Sequence, residues 1–296
     1  MTPYAFVTVD VFTDRAFGGN QLAVFPDARG LTDADMQSLA AEFNLSETAF
    51  VLPPSDPRNS ARVRIFSRRT EMPFAGHPNV GTAFVLASSR AAVGPMRFEQ
   101  LGGLVSVDVA RDATGAIGEI VVGAPATLSV SRWIHPLTIA GCASLDPIDV
   151  ILDTHPAVVA SVGLPFVVAE VTPDALVRAR PNLAEFEKAA SIWPELNGRF
   201  SLYLHCRERA GRRARMFGPL SGTVEDAATG GAAATLAAVL LQNAPDLLTV
   251  DLVVAQGESV GRPSRIRAAA YRTAEGIRAR LGGRCVPVLN GLTAFG

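Results

Sequence analysis

Three side chains in this chain have the types and settings for proton transfer: Glu47, His77 and Asp226. Glu47 stands in Leu45-Ser46-Glu47-Thr48-Ala49-Phe50, among residues that favour burial. A carboxylate with apolar neighbours holds its proton more tightly and becomes a general acid/base near neutrality. The same residue also reads as a solvated carboxylate at a strand end. His77 lies between Gly76 and Pro78 at a helix start. The positive end of a helix dipole disfavours imidazolium and leaves a neutral ring as hydrogen-bond donor or proton relay. A capping or packed histidine is the plainer reading. Asp226 precedes Ala227-Ala228-Thr229-Gly230-Gly231. It reads as a first-turn acid or cap, worth about 1 kcal/mol to a helix, or as a group facing a ligand.

The elements that must position these residues come as a pair of look-alike segments. Arg62-Val63-Arg64-Ile65-Phe66 is followed by Ala75-Gly76-His77-Pro78-Asn79-Val80-Gly81-Thr82-Ala83. Arg213-Ala214-Arg215-Met216-Phe217 is followed by Ala228-Thr229-Gly230-Gly231-Ala232-Ala233-Ala234-Thr235. Each is a β-type run, a loop and a Gly-led apolar helix. A chain built as two similar halves usually works in the cleft between them. Two helix N-termini there would offer backbone N–H groups to one small anion. The predicted helices, 79–88 and 232–241, are apolar nearly all round, so each belongs inside a sheet that curls around it.

Other elements follow from periodicity and punctuation. Residues 4–12 alternate as a strand, Phe17-Gly18-Gly19-Asn20 turns, and 21–25 pairs back. Thr32 with Asp33 and Asp35 starts a helix whose apolar stripe is Met36, Leu39, Ala40 and Phe43. Strands are expected at 48–52, 62–66, 98–109, 117–122, 156–171, 200–206, 251–257 and 284–289. Residues 175–192 are expected to be helical, with a break at Pro181. The cluster Arg207, Arg209, Arg212, Arg213 and Arg215 reads as a charged hairpin turning at Gly211, with an anionic partner as the minor reading. The resulting fold class is α+β, in two pseudo-symmetric halves. The expected division is 1–122 with the returning strand at about 284–296, against 123–283.

Composition narrows the function. The 296 residues carry 48% hydrophobic and 19% charged side chains, enough for a sizeable core. A formal net charge of −1 argues against a nucleic-acid partner. Three scattered cysteines make no disulfide framework. No apolar run reaches the ~18 residues of a membrane span, and the start reads as a strand, so a cytoplasmic protein is expected. Histidines 77, 135, 155 and 205 show no metal-ligand spacing, so no metal is expected. Nucleotide loops and the Gly-x-Ser-x-Gly elbow are absent.

Several motifs spread along the chain carry a resemblance. They are Val9-Asp10-Val11-Phe12, Gly19-Asn20-Gln21-Leu22-Ala23-Val24, Asn44-Leu45-Ser46-Glu47-Thr48-Ala49-Phe50 and Pro73-Phe74-Ala75-Gly76-His77-Pro78 with Gly81. Phe217-Gly218-Pro219, Glu225-Asp226-Ala227-Ala228-Thr229-Gly230, and Gln256-Gly257 with Gly261-Arg262-Pro263-Ser264 complete the set. Together they resemble the PhzF-like (phenazine biosynthesis) family, whose fold is similar to diaminopimelate epimerase. The resemblance implies two halves that each wrap a sheet around a central helix, and a homodimer. It implies a cofactor-independent isomerase of the trans-2,3-dihydro-3-hydroxyanthranilate type, acting on a small cyclic or amino-acid-like carboxylate. Glu47 matches the catalytic acid/base, with His77 and Asp226 as its partners. Asn20, Ser46, Gly76, Gly230 and Gly231 fall at substrate-binding positions. The related racemases use a cysteine at each helix start, and this chain has none there. Ala227 and Gly231 stand where the family often has Pro and Ser. An epimerase or racemase of the same fold and a non-catalytic small-anion binder are the alternatives.

Overall fold

The computed structural model describes residues 3–89, 94–193, 196, 198–209 and 211–294. The fold is α+β, mostly antiparallel sheet curled around helices. The chain divides into two compact units, one running up to Pro125 and taking up the chain again from Leu281, the other spanning Ala126–Arg280.

The first unit contains β1 (Ala5–Val11), β2 (Asn20–Phe25), α1 (Asp33–Phe43), β3 (Glu47–Leu52), β4 (Ala61–Ser67) and β5 (Glu71–Met72). Then come α2 (Gly76–Ser89), β6 (Met96–Gln100), β7 (Gly103–Arg111) and β8 (Ile117–Gly123). Strand β1 runs antiparallel to β2, β2 parallel to β3, β3 antiparallel to β4, β4 parallel to β6, and β6 antiparallel to β7. Helix α2 is buried along almost its whole length, from Gly76 to Ala83 and again at Val85, Leu86 and Ala87. It approaches the sheet so closely that a Cβ on Gly81 would stand 2.6 Å from Leu22 Cδ2 and 2.9 Å from Val9 Cγ2. A methyl group would push the helix off the sheet. Helix α1 covers the sheet through an aromatic cluster in which Phe25 stacks on Phe50 at 4.9 Å and Phe43 meets Phe25 edge-on at 5.8 Å. The helix start expected at Thr32 is present, and Thr32 and Asp35 cap each other reciprocally there.

The second unit contains β9 (Ser129–Trp133), α3 (Pro136–Ala143), β10 (Val150–Ile151), β11 (Val158–Ser161), β12 (Pro165–Val171), α4 (Pro173–Arg178) and α5 (Leu183–Ile192). After these come β13 (Leu202–Glu208), β14 (Gly211–Gly218), β15 (Thr223–Asp226), α6 (Gly230–Gln242), β16 (Thr249–Gln256), β17 (Ser264–Thr273) and β18 (Gly276–Gly283). Finally β19 (Cys285–Leu292) joins β1 antiparallel in the first unit. The pairing sequence of the first unit recurs: β11 antiparallel to β12, β12 parallel to β13, β13 antiparallel to β14, β14 parallel to β16, β16 antiparallel to β17. Helix α6 is the buried counterpart of α2. Outside the sheet, α3, α4 and α5 form an apolar layer around Phe186 and Phe200.

Some expected elements change shape. The run 98–109 is a hairpin of β6 and β7, because the chain turns at Leu101-Gly102 and enters β7 at Gly103 with φ +114°. The run 156–171 is likewise two strands, reversed around Gly163 at φ +158°. The break expected at Pro181 is present, between α4 and α5. Strands β9, β17 and β18 and helix α3 are not among the sequence-based expectations.

One device recurs in both units. Arg64 on β4 donates to both oxygens of Glu71, at 2.7 and 2.6 Å, with its guanidinium carbon 5.0 Å from the centre of the Phe66 ring. Arg215 on β14 donates to both oxygens of Glu225, each at 2.8 Å, with its guanidinium carbon 4.9 Å from the Phe217 ring centre. Arg215 also caps α4, donating to the carbonyls of Leu176 and Ala179. Its side chain is 8% exposed and that of Glu225 11%, against 12% and 20% for Arg64 and Glu71. Breaking one side of a buried pair strands the other charge, at roughly 3–5 kcal/mol. We expect Arg215→Met to lower urea stability by about 3 kcal/mol and Arg64→Met by less, since water reaches Glu71 more easily. A loss below about 1 kcal/mol for Arg215→Met would show that the pair is not a structural clamp.

Candidate active site

The clamps position the loops that lead into α2 and α6, and so position the sequence-predicted residues. In register, Phe66 pairs with Glu71 and Ile65 with Met72; Phe217 pairs with Glu225 and Met216 with Asp226. Both glutamates lie the same distance before their helix starts, Gly76 and Gly230. Met72 and Asp226 are therefore equivalent positions, as are Pro73 and Ala227, Ala75 and Thr229, and His77 and Gly231. A Cβ on Gly102 would meet Pro73 O at 2.7 Å, and one on Gly257 would meet Ala227 O at 2.4 Å. Each loop is thus crossed by a glycine backbone at the same point, which accounts for the Gln256-Gly257 motif.

In the first unit, Glu47 opens β3, between Leu22 of β2 and Ser67 of β4. Its approach is set by Asn44, which ends α1 in the left-handed conformation. His77 sits in the first turn of α2. Its Nε2 lies 3.6 Å from Glu47 Oε2, with side-chain exposures of 6% for the histidine and 19% for the glutamate. Slight movement closes this distance to a hydrogen bond. Ser46 Oγ and Asn20 Oδ1 are 3.4 Å apart beside them. Asn20 is buried and follows Gly19, whose φ of +64° and close approach to Val11 O exclude any side chain. The loop before it is tied down by buried Asp10, which accepts from Phe17 N at 2.7 Å. Asn79, fully buried on α2, donates to Ala75 O at 2.9 Å and exchanges hydrogen bonds with Gln100. The first unit therefore gathers Asn20, Ser46, Glu47, Gly76 and His77.

In the second unit, Asp226 ends β15 and its Oδ2 accepts from Thr229 Oγ1 at 2.6 Å. Gln256, 1% exposed, fixes this loop from β16. It donates to Asp226 O at 2.9 Å and Thr229 Oγ1 at 3.1 Å, and accepts from Thr229 N at 3.2 Å. Gly230 and Gly231 open α6 directly behind Asp226. A Cβ on Gly231 would make only ordinary contact with the Phe166 ring, at 3.5 Å. Packing does not dictate the loss of the usual serine. Tyr203 is fully buried on β13, beside Met216, whose other neighbour is Asp226. Its hydroxyl has no hydrogen-bond partner among the described residues.

Two features lay outside the sequence reading. Gln256 appeared only inside a motif, and its role as the strut under Asp226 depends on β16 lying parallel to β14. The second feature is a buried group, His155, Glu170 and His205, drawn from three separate segments of the second unit. The arginine cluster forms the expected hairpin, β13 and β14, and four of its five members lie near carboxylates. Arg207 and Arg212 approach Glu170, Arg213 approaches Glu208, and Arg215 holds Glu225. An anionic partner finds little support there.

Comparison with known proteins decides the family. The model of the phenazine biosynthesis-like proteins (PhzC-PhzF) matches residues 9–291. The chain belongs to this family. It is 36% identical to an uncharacterised isomerase of Mesorhizobium japonicum, over 97% of each chain. It is 33% identical to the trans-2,3-dihydro-3-hydroxyanthranilate isomerase of Pseudomonas aeruginosa, over 93% of this chain and 94% of that one. Among solved structures, a PhzF-family protein of Bacillus anthracis superposes with a TM-score of 0.87 at 23% identity, over 100% of both chains. A predicted epimerase from Pseudomonas aeruginosa gives 0.82 at 30% identity, over 99% and 100%. A probable proline racemase from Agrobacterium radiobacter gives 0.67 at 11% identity, over 100% and 94%, which shows the shared fold. The chain is an isomerase of the PhzC-PhzF family. No described helix is long and apolar enough to cross a membrane.

Burial, and then the Asp226 carboxylate, push the Tyr203 phenol well above its ordinary value. The unfolded chain ionises this tyrosine near pH 10, but the folded chain does not. Its contribution to stability is complete below that pH and is lost as pH rises above it. The chain has three tyrosines. We expect alkaline ultraviolet titration of the folded protein to show no more than two phenolates, with the third appearing only as the fold melts. Three phenolates in the folded state would place Tyr203 in water, and Asp226 with it.

Proposed function

We propose that this isomerase moves a proton between two carbons of a small cyclic or amino-acid-like carboxylate, with Glu47 as its acid/base and no cofactor. The observation that carries the reading is the Glu47–His77 pair at 3.6 Å, largely shielded from water. A carboxylate there can take a proton from carbon and return it, provided the carbanion is stabilised as an enol-like species. His77 and Asp226 are assigned to that stabilisation, and the N–H groups at Gly76, Gly230 and Gly231 to the substrate's anionic group. Asn20 and Ser46 are assigned to substrate orientation. A homodimer belongs to this reading.

The internal repeat favours a single base. Registering Phe66 on Phe217 makes Thr48 equivalent to Leu202, and hence Glu47 equivalent to Ser201. The second unit has neither the glutamate nor the histidine at the matching positions. Two-base inversion needs a proton carrier on each face of the reacting carbon, and the helix starts hold Ala75 and Thr229 instead of thiols. Cys142 and Cys206 are buried in the outer layer of the second unit. A base acting alone suits transfer to a second carbon on the same face. The second reading, an epimerase, is favoured by the name of the Pseudomonas aeruginosa structure at 30% identity.

With trans-2,3-dihydro-3-hydroxyanthranilate and small cyclic carboxylates as trial substrates, we expect Glu47→Gln to lower kcat by about 10²–10⁴-fold with KM little changed. Asp226→Asn is expected to raise KM as well as lower kcat. Wild-type turnover by Glu47→Gln on any substrate the native protein converts would remove Glu47 from the mechanism.

A further inference from the structure

The second unit buries a set of lone-pair donors that the isomerase chemistry does not use. His155 is 1% exposed, Glu170 2% and His205 0%. Glu170 and His205 are register partners on the parallel strands β12 and β13. The Nε2 atoms of His155 and His205 lie 2.8 Å apart, and one donor atom from each of the three residues falls within 4.8 Å of the others. His155 Nδ1 lies 2.7 Å from the Pro156 carbonyl, which can only accept, so Nδ1 carries the proton. The lone pair of His155 therefore sits on Nε2 and points at His205. This is the arrangement by which proteins orient a metal-binding histidine.

The group holds more acceptors than protons. His155 and His205 share one N–H between them. Glu170 Oε2 and His205 Nδ1 have no hydrogen-bond partner among the described residues, although both are buried. Burial pushes the pKa values of both imidazoles down, His205 furthest, so both rings keep a lone pair at neutral pH. An unpartnered buried carboxylate oxygen is costly, and a cation held by the two facing Nε2 atoms would satisfy Glu170 Oε2. Arg207 and Arg212 approach Oε1 of Glu170, at 3.4 and 3.8 Å, while Oε2 is the oxygen without a hydrogen-bond partner among the described residues. Their charge weighs against a weakly held hard cation and favours an ion that gains from imidazole coordination.

We propose that His155, Glu170 and His205 form a buried binding site for a divalent transition-metal ion of the zinc class, separate from the Glu47–His77 pair. The two Nε2 atoms must part from 2.8 Å to roughly 3.3 Å, the spacing of two nitrogens at ~2.05 Å on a tetrahedral ion. His205 then moves its ring proton from Nε2 to Nδ1. Arg207, whose side chain is 66% exposed, spans from Glu170 to Thr154 Oγ1 and is the solvent-facing group next to the site. The site joins the segment before β11 to β12 and β13, so occupancy stabilises the second unit rather than supplying a catalytic group.

The test loads purified full-length His77→Gln protein, which lacks the competing imidazole, with zinc chloride or cobalt chloride. Metal content after desalting, cobalt absorption and thermal unfolding are then read. The proposal expects one ion per chain, the intense visible bands of tetrahedral cobalt, and a Tm raised by zinc. His155→Gln and Glu170→Gln added to the same background should lose the ion, while exposed His135→Gln should retain it. If either buried variant fails to fold, the cobalt spectrum and zinc-dependent Tm of the parent protein decide. Less than a tenth of an ion per chain, an octahedral cobalt spectrum, or equal metal content in the folded buried variants would overturn the site.

Discussion

The structure depends on an arginine held between a glutamate and a phenylalanine face, and it uses that interaction twice. Arg64 and Arg215 each pin a strand to the short strand that follows it. The next few residues lead into a helix that must enter the interior of its own sheet. Such a helix start has backbone N–H groups with no intrahelical partner, and the loop before it is where function collects. A bidentate guanidinium fixes orientation as well as distance. A lysine in its place would hold charge but not direction. The Phe ring beneath keeps water from one face of the ion pair, so the clamp is stiff where the loop above it needs room for side chains with chemistry.

On this repeated frame the chemistry is uneven. The first unit carries Glu47 and His77; the second has Ser201 and Gly231 at those positions and carries Asp226 where the first has Met72. A frame with equivalent positions in both units carries its Glu–His pair in only one of them. This unevenness makes a single-base proton shift the natural reading of the site. It also leaves the second unit with neutral hydrogen-bonding machinery around its loop: Thr229, Gln256 and backbone N–H groups.

Much of this was legible in the chain because both signals were local. Arg-x-Arg-x-Phe followed by a Gly-led apolar helix is a short pattern, and its recurrence announced the repeat. Thr32 with Asp35 announced α1 equally well, and all-round apolar character announced that α2 and α6 are interior. The hairpin of β6 and β7 and the break between β11 and β12 were not resolved, because one glycine inside an apolar run gives little indication of reversal. Strand β9 was missed for a different reason: its partner, β11, lies beyond an intervening helix. The same holds for His155, Glu170 and His205. No spacing rule connects them, and only the parallel pairing of β12 and β13 sets the carboxylate beside the imidazole. Gln256 shows the intermediate case, conspicuous in a motif but explicable only once β16 lies beside β14.

The most direct test of the single-base account is where solvent deuterium enters when the wild-type protein turns over a converted substrate in heavy water. One base that lifts a proton from one carbon and delivers it to another should carry the substrate's own hydrogen to the receiving carbon, diluted by deuterium only as far as the carboxyl exchanges with solvent, and should leave the configuration of recovered substrate unchanged. Deuterium at the original carbon with inverted configuration would contradict the account and assign the protein to the epimerases that share its fold.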